Sequence, residues 1–141
     1  MPSVFSPLRA GLHCALGLAL LGLCSAVQAQ NLNCEDPVTQ VEMTGCAGLA
    51  ADVADKELNA VWAQAIAVAR TRDASDLSGA PPSEDILRDA QRSWITFRDQ
   101  ACSAEATIAR GGTMASQLFL ICLERLTRHR TDDLRLFAMT N

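Results

Sequence analysis

Between Gln91 and Cys102 a permanently charged side chain sits among apolar ones. At helical spacing Trp94, Phe97, Ala101 and Cys102 share a face, and Arg98 lies between them. A guanidinium beside Trp and Cys is costly without a partner, so Arg98 needs a specified polar contact. Asp55 and Asn59, four residues apart on the stripe of Trp62 and Ile66, are candidates for that contact. Arg130 occupies the missing step of a third apolar stripe and belongs near the same side. Together Asp55, Asn59, Arg98 and Arg130 read as an interhelical polar network. Such a network fixes helix register, a task it suits better than ligand binding.

Turnover chemistry is hard to assemble from this chain. His129 is flanked by Arg128 and Arg130, cations that disfavour its protonated form, and it has no orienting carboxylate in sequence view. No Ser, Cys or Lys nucleophile has a recognisable activator, and no Gly-rich phosphate cradle is present. Adjacent carboxylates at Glu84-Asp85 and Asp132-Asp133 fit a solvated helix face. The sequence therefore predicts a protein that is not an enzyme and carries no cofactor.

The remaining chemistry is sulfur chemistry. Arg9 is the only charge before Glu35, the run from Gly11 to Val27 is apolar, and Val27-Gln28-Ala29 ends it with residues suited to cleavage. This order predicts a secretory signal peptide over residues 1–29 and no transmembrane segment once it is removed. A lipoprotein acylated at Cys24 fits less well, because Leu23 stands where such signals carry a small residue. Cleavage leaves residues 30–141 as one domain with Cys34, Cys46, Cys102 and Cys122. An even cysteine count in an exported chain reads as two disulfides. Zinc is the weaker reading, since no Cys-x-x-Cys spacing occurs and His129 is the single histidine left.

Charge narrows the partners. Lys and Arg number 12 against 16 Asp and Glu; losing Arg9 leaves 11 against 16, a net charge of −5. No basic stripe is available to neutralise phosphates, which argues against nucleic acid. An acidic surface would steer toward a basic protein.

Three helices must position these residues, and no stretch has the period-two alternation of a strand. The first runs from Pro37 to about Arg70, with Asp36 as N-cap and Leu58, Val61, Trp62, Ala65 and Ala69 on one face; Gly45 and Gly48 predict a break near its start. Residues 71–82, polar and ending in Pro81-Pro82, read as an exposed loop. Ser83 then caps a second helix that carries Ile86, Ala90, Trp94, Phe97, Ala101 and Ile108 inward. Gly111-Gly112 turns the chain into a third helix from Thr113 to about Phe137, with Leu118, Cys122, Leu126, Leu134 and Phe137 on its stripe. Cys102 and Cys122 stand nine residues before and ten after the glycine pair, level across an antiparallel hairpin. That spacing favours Cys102–Cys122 and leaves Cys34 with Cys46; the other two connectivities stay open at this level.

The order Cys34, Gln40-Val41-Glu42-Met43, Cys46, Asp55-x-x-Leu58-Asn59, Gln91-Arg92-x-Trp94-Ile95-x-Phe97-Arg98-Asp99-x-x-Cys102, Gly111-Gly112, Cys122 and Thr127-x-x-Arg130-x-x-x-Leu134 resembles the LprI-type lysozyme-inhibitor domain. The likeness covers nearly all of residues 30–141, and Gln91 to Cys102 is its most specific tract. Thr44 replaces the usual Asn and Trp62 the usual Tyr. The resemblance implies an exported, disulfide-linked, all-helical bacterial envelope protein that inhibits lysozyme by binding it. It supplies no inhibitory residues. The acidic loop region, with Asp73, Asp76, Glu84 and Asp85, is the candidate contact for a basic muramidase. The alternatives are an envelope immunity or interaction protein for another secreted partner, or a structural stress module. Oligomeric state is not legible from the sequence.

Overall fold

The computed structural model describes residues 32–139. The segment read as a signal peptide, Cys24 included, lies outside the described residues. Three helices, α1 (Gln40–Ser75), α2 (Ser83–Ala106) and α3 (Met114–Met139), form an all-α bundle. Two disulfides staple it, Cys34–Cys46 and Cys102–Cys122, with Cα atoms 5.5 and 5.4 Å apart. Among the described residues no helix is long and apolar enough to cross a membrane.

The start of α1 differs from the expectation at Asp36. Thr39 is the N-cap, and it forms a capping box with Glu42: the Thr39 hydroxyl accepts the Glu42 N–H, and the Glu42 carboxylate accepts the Thr39 N–H at 2.9 Å. This reciprocal pairing satisfies more orphan amides than Asp36 ahead of Pro37 could.

Nor does α1 break at Gly45 or Gly48. The helix runs through both, and Gly45 serves a close approach instead. A Cβ at Gly45 would lie 2.5 Å from Leu32 Cδ1, the side chain of the N-terminal arm that the Cys34–Cys46 bridge holds down. At its far end α1 continues to Ser75, so the connecting loop is Asp76 to Pro82, shorter than its composition suggested.

α1 and α3 share the longest interface and run in the same direction. Gln40 donates to Gln117 at one end (2.9 Å), and Arg72 donates to the Phe137 carbonyl at the other (2.9 Å). α2 returns antiparallel to both. Gly111, at φ +82°, takes the left-handed conformation that the α2–α3 turn requires and that other residues resist. The core gathers Leu58, Val61, Ala65, Ile66 and Ala69 of α1 with Leu87 of α2 and Leu134 of α3; Trp62, Trp94 and Phe137 pack at its edge. The α1 face read from periodicity is thus the buried one. Thr127 and Thr131 are also buried, and the Thr131 hydroxyl is satisfied by the Thr127 carbonyl at 2.9 Å.

α2 departs most from its expected orientation. Only Leu87 and Cys102 are buried on it, while Ile86 and Phe97 stand mostly in solvent, as does Ile108 in the 3-10 turn, Thr107–Ala109, that follows the helix. The side of α2 that faces the bundle is occupied by Gln91, Trp94, Arg98 and Cys102, so the polar groups and the sulfur turn its aliphatic stripe aside.

Candidate functional site

Arg98 sits at the junction of all three helices with 17% of its side chain exposed. Its nearest partner is on its own helix: Nε and Nη2 both lie 2.9 Å from Asp99 Oδ1. Asp55 on α1 is a looser second partner, 3.9 Å from Nη1, and Trp94 stacks beneath the guanidinium with 5.0 Å to its ring centre. Asp55 in turn accepts from Asn59 Nδ2 at 2.9 Å. Asp55, Asn59 and Arg98 are thereby brought together, with Asp99 as the closer carboxylate. Asp55 and Arg98 border a cleft of about 420 Å³ that also involves Asp52, Lys56 and Thr127.

Arg130 does not join this group. Its Nε donates to Gln91 Oε1 at 2.9 Å, and its buried Nη2 has no hydrogen-bond partner among the described residues. Burial pushes its pKa below the usual guanidinium range, against the attraction of Asp133. The expected four-residue network is therefore two separate contacts, because Arg130 lies level with Gln91 rather than with Asp55.

The acidic region is largely engaged within the molecule. Asp73 accepts the backbone N–H groups of Ser83 (2.6 Å) and Glu84 (3.0 Å), and these bonds, chiefly that from Glu84, hold its pKa below the usual range. Ser83 is thus the first helical residue of α2 rather than its cap. Glu84 is gripped by Arg70, at 2.7 and 3.0 Å, and by Arg88, at 2.6 and 2.9 Å; the two guanidinium groups, Arg70 foremost, hold its pKa down to about 2. Asp76 accepts the Ser78 N–H (2.8 Å) and hydroxyl (3.0 Å), which lowers its pKa, and Ser78 Oγ accepts the Ala80 N–H at 3.2 Å. The loop is therefore internally braced, with Leu77 98% exposed. Asp85 is exposed and enters no ion pair among the described residues.

Among the described residues no cluster of His, Cys, Asp or Glu is arranged to hold a metal. What the fold defines is a disulfide-stapled three-helix bundle with Arg98 and Arg130 partly buried between its helices. The model of the lysozyme inhibitor LprI family matches residues 33–134, and the chain belongs to that family. An uncharacterized protein of Rhizobium meliloti (strain 1021) is 35% identical over 127 residues, covering 86% of this chain and 91% of its own length. No solved structure matches. The family is described by inhibition of an enzyme, not by catalysis.

Proposed function

We propose that this protein is exported to the bacterial envelope and blocks a basic, peptidoglycan-cleaving muramidase by covering its substrate cleft. The family match over residues 33–134 carries this reading. The acidic balance of residues 30–141 supports it, because complementary charge speeds encounter with a cationic enzyme. In this reading the Asp76–Pro82 loop and the start of α2 meet the target. Leu77 supplies the apolar contact, with Asp76 and Asp85 as its acidic flank. Asp73 and Glu84 hold the platform, Asp73 through the first amides of α2 and Glu84 through Arg70 and Arg88. A braced loop loses little freedom on binding, which favours affinity.

The test is cell-wall lysis by lysozymes of several classes, titrated with the oxidised protein and paired with a direct binding measurement. Saturable inhibition near one-to-one stoichiometry is expected. Asp76→Arg should weaken both signals together. Undiminished inhibition by that variant would remove the loop from the contact, and no inhibition of any class would move the protein to a different envelope partner.

A further inference from the structure

The aliphatic stripe that α2 turns away from the core has an internal symmetry. Counted from Phe97, it comprises Ile86 and Ile108 eleven residues to either side, Ala90 and Ala104 at seven, and Ser93 and Ala101 at four. Steps of three and four place Ile86 to Ala104 along one side of α2, and Ile108 follows in the 3-10 turn, Thr107–Ala109, at its end. Ile86 is 57% exposed, Phe97 59% and Ile108 78%, and the small residues between them permit close approach. The stripe reads nearly the same in both directions. It is therefore complementary to itself when two copies of the helix pack antiparallel about a two-fold axis at Phe97.

We propose that the protein forms a two-fold symmetric dimer through antiparallel pairing of α2 with α2 of a second copy. Two further observations name a second copy as the occupant of this face. First, Asp85 lies on the first turn of α2 and Arg110 just past the 3-10 turn (Thr107–Ala109) that follows the helix, at opposite ends of the stripe; both are exposed, and neither enters an ion pair among the described residues. In the antiparallel arrangement the end of the stripe that carries Asp85 in each copy lies beside the end that carries Arg110 in the other, so opposite charges come together. Second, a groove of about 460 Å³ opens between α2 and α3 at the Ile86 end, walled by Leu87, Ala90, Leu134 and Phe137. Ile108 of the second copy arrives at this groove in the same register. The most exposed apolar side chain of the stripe thereby gains an apolar socket, twice per dimer.

The test is sedimentation equilibrium of the oxidised protein over a wide concentration range. The mass should rise from monomer to dimer. Phe97→Asp should leave it monomeric with unchanged helix content and melting, since Phe97 is outside the core. Asp85→Arg should weaken dimerisation about tenfold, because both ion pairs become repulsions, and adding Arg110→Asp should restore it. A monomer at every concentration, or a dimer indifferent to Phe97→Asp, overturns the proposal. Failure of the double charge exchange to restore association overturns the antiparallel register. Phe97 lies far along α2 from Asp76 and Leu77, so Phe97→Asp separates association from lysozyme inhibition, whereas Asp85 is shared with the proposed muramidase contact.

Discussion

The Asp73 carboxylate, on the last turns of α1, accepts the first two backbone N–H groups of α2, from Ser83 at 2.6 Å and Glu84 at 3.0 Å. One helix thus supplies the N-cap of the next, and Pro82, which stands at the cap position, makes no side-chain bond of its own. Asp73→Ala leaves two orphan amides at a helix start, and should lower the thermal midpoint by about 4–8 °C. Circular dichroism melting checks this. A melt that matches the parent protein would mean water serves those amides equally well.

Glu84, fixed between Arg70 and Arg88, links stability to acid. Its folded pKa of about 2 lies below its ordinary value of 4.5, so its contribution is fully present above about pH 4.5 and is lost as pH falls toward 2. Asp73 is depressed in the same direction and adds to the loss. Melting midpoints should therefore fall over that window, and Glu84→Gln should flatten the fall. The Arg70 side chain is exposed, so added salt should shrink the difference between the two proteins. An identical pH profile for Glu84→Gln would contradict the assignment.

Arg98 has two carboxylates within reach, and distance ranks them. Asp99 bonds it at 2.9 Å, whereas Asp55 stands 3.9 Å away and is shared with Asn59. Asp99→Asn should cost about 1–2 kcal/mol in urea denaturation, and Asp55→Ala below about 1 kcal/mol. The reverse ranking would make the α1–α2 contact the principal one.

Sequence legibility followed the range of the interaction. Helix boundaries at Pro81-Pro82 and Gly111-Gly112 are local signals, and the level spacing of Cys102 and Cys122 anticipates the bridge between α2 and α3. The capping box of Thr39 and Glu42 was equally local, but Asp36-Pro37 offered a competing start three residues earlier. The capping of α2 by Asp73 spans ten residues across a loop and has no sequence signature. Periodicity marks one side of α2 as apolar without saying which neighbour covers it. Ile86, Phe97 and Ile108 could therefore be assigned to the core when the bundle takes Gln91, Trp94, Arg98 and Cys102 instead. Arg130 and Asp55 were joined for the same reason: shared sidedness does not establish shared height along the bundle.

Gly45 offers the sharpest separation of local preference from packing. A glycine inside a helix costs about 1 kcal/mol relative to alanine, so Gly45→Ala should stabilise α1 wherever space allows. Here the new Cβ would lie 2.5 Å from Leu32 Cδ1 and 3.2 Å from Cδ2. Leu32 must swing away, and the arm held by Cys34–Cys46 loses its contact with α1. In a Leu32→Ala background Gly45→Ala should therefore raise stability by about 1 kcal/mol, while in the parent protein the gain should largely vanish. The four proteins form a double-mutant cycle with a coupling of at least about 0.5 kcal/mol, readable by urea denaturation. Equal stabilisation in both backgrounds would mean that Leu32 places no demand on Gly45, and that the arm rests on its disulfide alone.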